Sequence, residues 1–294
     1  MRHSAPQVKL TSICMIAAVL IAVSPAVLAQ GGPPFRSDDP DTPGNRRWEI
    51  NTLLVGERNP SGGSYEVPNI DINYGLGSRI QLKYEVPLSI QESRGPSGQV
   101  AAGLGNSLLG VKWRFYAHHP KKESGEIDKK ESTFGLSTYP QLLLNNPTGS
   151  VRREVAEPGP QFLLPVEANA RLGPIRMSAE VGYWFTNKSI PNSWIRGLIA
   201  GYEFKSKTEL DLELFDQAAT SATLGEPKTR ESTFGVGFRS PLRRNQSFWI
   251  MGMAGRSLAT VTATNGQPSW IASVGFQVLT GKSRRNSSDL PVPY

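Results

Sequence analysis

Thirteen charged residues sit where an extended chain would turn each to the side opposite its apolar neighbours, so the capacity for chemistry in this sequence is spread along strands. In "ELDLELF", Glu209, Asp211 and Glu213 alternate with Leu210, Leu212 and Leu214. In "IQLKYEVPL", Lys83 and Glu85 alternate with Leu82, Tyr84 and Val86. Asp71, Lys112, Arg114, Glu167, Glu180 and Arg239 follow the same rule, as do Glu49 and Glu203. Nine acids against four bases on one face predict either of two things. One is a negatively biased pore with weak cation preference. The other is a paired network that fills a narrow interior.

Other chemistry is poorly supplied. His118-His119 is the one histidine pair, with Glu123 and Glu126 as neighbours in a metal or acid–base reading. Two histidines in one turn seldom converge on a metal without further ligands, so the pair reads as a solvated turn, with no metal and no cofactor. Ser–His catalysis would have to use that same turn, and no enzyme is expected. "GLGNSLLG" leads into a strand and cradles no phosphate. Cys14 is the single cysteine and lies in the leader described next, which leaves no disulfide or thiolate chemistry after it.

The chain begins with a basic start (Arg2, Lys9), an apolar run Ile13–Val23, and Val27-Leu28-Ala29. This is the layout of a secretory signal peptide over 1–29, cleaved near Ala29. Removal of Arg2 and Lys9 lowers the net charge from +7 to +5, an excess too dispersed for nucleic acid. Residues 30–45 are expected as a periplasmic segment, 46–280 as the folded body, and 281–294 as a polar tail.

Within 46–280 the alternation predicts strands near 46–56, 64–75, 78–90, 103–116, 131–145, 160–171, 174–187, 194–205, 207–216, 230–240, 246–260 and 268–280. Tight connectors (75–78, 172–174, 205–207, 241–245) alternate with long ones (91–106, 145–159, 216–231). The connector 117–132 breaks the rule. This arrangement suits an all-β, transmembrane antiparallel β-barrel of about 12 strands in a Gram-negative outer membrane. A soluble β-sandwich or lipocalin-like barrel also alternates, with its polar face outward. Aromatic residues near strand ends favour lipid: Trp48, Tyr74, Trp113, Phe115, Tyr183, Phe185, Trp194, Phe204, Trp249 and Trp270 read as interfacial girdles. Pro68, Pro87, Pro140 and Pro165 require bulges or rim positions.

The blocks "GPPFRSDDPDTPGNRRWEIN", "VPNIDINYGLGSRIQLKYEVPL", "GLGNSLLGVKWRF" and "YPQLLLNNPTG" resemble outer-membrane transporters grouped as the MetA-pathway phenol-degradation family. The resemblance implies an outer-membrane barrel that passes small solutes, aromatic ones among the candidates. The alternative is a closed structural or binding barrel whose loops meet lipopolysaccharide or a partner. Arg94, Arg152, Arg153, Lys228 and Arg230 are the loop cations that would bridge lipopolysaccharide phosphates.

Overall fold

The first strand pairs with the last. Trp48 lies opposite Thr280 and Arg58 opposite Trp270 in one antiparallel ladder, which closes the sheet on itself and leaves no edge there. The computed structural model describes residues 32–94, 98–118, 134–187, 190–222, 228–243, 246–261 and 269–280. The leader with Cys14 and Ala29, the positions His119, Glu123 and Glu126, and the tail 281–294 lie outside the described residues.

Among the described residues the strands are β1 (Trp48–Asn59), β2 (Gly62–Leu76), β3 (Ile80–Ser93), β4 (Val100–Leu104), β5 (Ser107–His118), β6 (Phe134–Thr138) and β7 (Gln141–Leu144). The second half adds β8 (Gln161–Leu172), β9 (Ile175–Phe185), β10 (Ser193–Glu203), β11 (Glu209–Ala219), β12 (Arg230–Pro241), β13 (Phe248–Val261) and β14 (Trp270–Thr280). β4 and β5 are two stretches of one barrel strand, both paired with β3. β6 and β7 are likewise one broken strand between β5 and β8. Counted so, the barrel has twelve staves, each overlapping one expected strand.

The breaks have local causes. Pro140 offers no backbone donor to the ladder, and its carbonyl accepts from Val111 N–H at 3.0 Å. Pro68 falls in the register shift between Glu66 and Asn69. Pro165 stays within β8 opposite Gly182, where a Cβ would meet the proline ring at 3.0 Å.

Burial decides which solvent each face meets. On β11, Leu212 is 46% exposed on the outside while Glu213 is 2% exposed on the inside. The same inversion runs round the wall: Leu82, Tyr84, Leu164, Val181, Val236 and Phe276 project outward. A soluble protein does not expose an apolar band while burying its carboxylates; a barrel in lipid does both. The outer aromatics meet in pairs, Trp48 and Tyr74 tilted (4.6 Å), Tyr183 and Trp194 (4.8 Å) and Trp113 and Phe115 (5.7 Å) edge to face. Phe185, Phe204 and Trp270 are also exposed on the exterior.

Trp249 corrects one expectation. It faces the lumen, 8% exposed, with its indole N–H donated to the Gln246 carbonyl at 2.8 Å. Its neighbour Phe248 takes the outer face and stacks on Phe276 at 5.5 Å, which fixes the parity of β13.

Candidate functional site

The inner face of the barrel carries two bands. Toward the end where β1 begins (the near end), it is charged. Toward the end where the 145–159 loop lies (the far end), polar residues share it with an apolar patch: Leu108, Leu163, Trp184, Ile195 and Phe215 form one buried cluster, with Leu143 packed against it. Extending the alternation would have placed Phe215 and Ile195 inside, because they follow Glu213 and precede Gly197 on the inward parity.

The amino-terminal segment runs through this lumen. Of the segment 30–45, expected as periplasmic, residues 34–37 are buried against the inner wall. Ser37 donates its backbone N–H (2.7 Å) and its hydroxyl (2.8 Å) to Glu213 Oε1. Asp38 N–H donates to Glu180 Oε2 at 3.0 Å. The Arg36 guanidinium pairs with Glu231 at 3.2 Å and lies 4.8 Å from the Phe215 ring centre. Ser273 donates its hydroxyl to the Pro34 carbonyl at 3.1 Å. Inward glycines make the room. A Cβ on Gly197 would fall 2.0 Å from Ser37 Oγ, and one on Gly237 2.5 Å from the Phe35 ring.

The expected lumen residues are brought together in pairs rather than in an open ring. Lys112 Nζ donates to Asp38 Oδ1 at 2.7 Å and to the Asp39 carbonyl, lies 3.6 Å from Glu167, and sits over the Tyr139 ring at 4.6 Å. Lys83 reaches Glu85 at 2.7 Å and Asp71 at 3.6 Å. Glu209 pairs with Arg176, whose other nitrogen lies 3.9 Å from Asp39. Asp211 lines the same near-end space. Glu203 holds Arg171 and Lys207, Arg114 pairs with Asp41 at 3.1 Å, and Glu49 accepts from Asn51 at 3.1 Å. Arg239 donates to Gln277 at 2.8 Å and lies 5.8 Å from the Trp249 ring. The sequence reading missed Arg171 and Arg176, although both lie in the alternating strands β8 and β9. Partial burial opposes ionisation of Asp39, but Lys112 and Arg176 outweigh it and hold the carboxyl below the usual carboxylate range.

Among the described residues, two cavities lie inside the barrel. The near chamber, about 400 Å³, is lined by these paired charges. The far chamber, about 660 Å³, is lined by apolar residues and glutamates. Both chambers touch Pro33 and Phe35, so the amino-terminal segment stands between them. The 145–159 loop bends inward over the far chamber, with Val151, Glu154 and Val155 in its wall. Asn106 fixes the loop, accepting from Glu157 N–H (2.8 Å) and donating to the Glu157 carbonyl (2.9 Å).

These features define a transmembrane-type β-barrel with a divided lumen. Among solved structures, the chain superposes on the COG4313 outer membrane channel from Pseudomonas putida F1 with a TM-score of 0.60. The match has 14% identity and covers 82% of this chain and 98% of that one, a likeness of fold. The KdgM porin, at 13% identity over 78% of this chain and 98% of its own, reaches a TM-score of 0.48. No family model matches the sequence, and no curated protein matches it. The resemblance to the phenol-degradation transporters therefore has support at the level of the fold.

Proposed function

We propose that the protein is an outer-membrane channel for passive passage of small solutes, aromatic ones among them. The observation that carries this reading is the pair of chambers aligned along one barrel, with a single short segment between them. A buried wall of Trp184, Leu108 and Phe35 on the far chamber suits an aromatic body, and the charged near chamber keeps the path wet. The apolar exterior and the signal-like leader support residence in the outer membrane. The exposed cations Arg94, Arg152, Arg153 and Lys228 are proposed contacts for lipopolysaccharide phosphates. Arg230 already pairs with Asp216 at 3.4 Å, and Arg94 with Glu92 at 3.8 Å.

Liposome swelling tests the passage. Vesicles carrying the folded protein should swell in iso-osmotic phenol-sized solutes and stay unchanged in a tetrasaccharide. A folded protein that admits no solute at all would remove the channel reading. A second reading, a closed barrel with a salt-bridged interior, is favoured by the Lys112–Asp38 and Arg36–Glu231 pairs that tie the segment to the wall.

A further inference from the structure

We propose that the near rim of the barrel binds the phosphate groups of anionic glycerophospholipids in the leaflet around it. This rests on the reading above that the barrel sits in the outer membrane, with its near end on the side of residues 30–45.

The rim is basic and lacks counter-charge. Its short connectors are 77–79, 173–174, 204–208 and 242–247, and residues 42–47 lead into β1. Together they carry Arg46, Arg47, Arg79, Lys205, Lys207 and Arg243 among the described residues, and no aspartate or glutamate. Lys207 pairs with Glu203. Arg46, Arg79, Lys205 and Arg243 are exposed, and none of the four has a carboxylate partner among the described residues. The remaining near connector, 119–133, lies outside those residues. The far end differs, because its loops mix signs. Glu154 and Glu157 share a loop with Arg152 and Arg153, and Glu92 lies 3.9 Å from Arg58 and 3.8 Å from Arg94.

The near cations also stand at the edge of the apolar band. Lys205 follows exposed Phe204, which meets Tyr202 edge to face at 4.9 Å. Arg46 precedes Trp48 by two residues, and Arg243 follows exposed Leu242. A long cation just beyond an outward aromatic or leucine holds its charge at head-group depth while its stem covers apolar surface. Arginine adds parallel N–H donors that match phosphate oxygens. The four positions spread from the β2–β3 connector to the β10–β11 connector, across six of the twelve staves. A lipid annulus meets all of them at one depth. A globular partner that did so would sit across the mouth of the barrel.

Native mass spectrometry of the folded chain from residue 30 onward, in detergent with phosphatidylglycerol or phosphatidylcholine, tests this. Phosphatidylglycerol is expected to bind about tenfold more tightly, and the preference should shrink as ionic strength rises. Arg79→Gln, Lys205→Gln and Arg243→Gln together should remove most of that preference. Arg94→Gln, Arg152→Gln and Arg153→Gln together should keep it. All six side chains are exposed, so neither variant disturbs the interior. Lys205→Gln alone should lower the preference about twofold, which serves if the triple near-rim variant does not fold. A preference that survives the near-rim changes, or disappears with the far-end ones, would overturn the assignment. Equal binding of the two lipids would also overturn it and leave the rim to an acidic protein. Conductance is not read here, so a silent barrel contradicts the channel reading alone, and equal lipid binding contradicts this one alone.

Discussion

Ser37 and Glu213 meet at a single oxygen: the serine's backbone N–H and hydroxyl both donate to Glu213 Oε1, at 2.7 and 2.8 Å. The carboxylate projects from mid-strand β11, and the serine belongs to a segment outside every strand. Gly197 lies beneath Ser37 with no side chain in the way. The amino-terminal segment is therefore part of the inner wall, held by complementary shape as well as by hydrogen bonds.

Gly197→Val should expel the segment, because even a Cβ there would overlap Ser37 Oγ. Single-channel conductance should rise severalfold, while circular dichroism keeps its strand signature. Unchanged conductance in a folded variant would mean that the segment does not set the constriction.

Lys112→Met should destabilise the folded barrel. The lysine is 1% exposed and balances Asp38 and Glu167. Removing it leaves buried carboxylates uncompensated, a loss on the order of 3–5 kcal/mol. Equilibrium unfolding in urea from lipid vesicles reads the difference. A loss within error of zero would show that these charges are hydrated rather than paired.

Acid should loosen the segment. Asp39 titrates below the usual carboxylate range in the docked state because of Lys112 and Arg176, against ~3.9 for a free aspartate. A depressed docked value stabilises docking fully above the free value, and that stabilisation disappears as pH falls through the docked value. Asp41 and Arg239 also act on this carboxyl, and Asp38 faces the same lysine, so the transition belongs to the group. A nitroxide on Thr42→Cys should report slow motion at neutral pH and faster motion in strong acid. A line shape constant over that range would rule out the electrostatic latch.

Leu212→Arg should cost about 2–4 kcal/mol of folding stability in a bilayer, since its side chain lies on the outer face at mid-strand β11. A neutral effect would place that face in water, and with it the whole exterior band.

The strands were legible because lipid and lumen demand period-two alternation, and "ELDLELF" or "IQLKYEVPL" carry it without interruption. The inward side of Glu180, Glu209 and Lys83 followed from the same rule. Trp249 did not, because Phe248 beside it is equally apolar and only pairing with β14 decides which of the two meets lipid. The segment within the lumen was hidden for a different reason. "GPPFRSDDPD" reads as a linker, and its fit depends on Gly197 and Gly237, which are distant in sequence. Glycines inside strands were the available sign of a close approach, though not of what approaches. Arg36 carried no sign at all, since its partner Glu231 lies at the far side of the chain.

The divided lumen should conduct, with the amino-terminal segment as its constriction. Single-channel recording in a planar bilayer under a salt gradient reads this, comparing the chain from residue 30 onward with a variant that also lacks residues 33–41. Small, steady openings with a cation-biased reversal potential are expected, and larger openings once the segment is gone. Silence from both proteins, each shown to be folded and inserted, would contradict it.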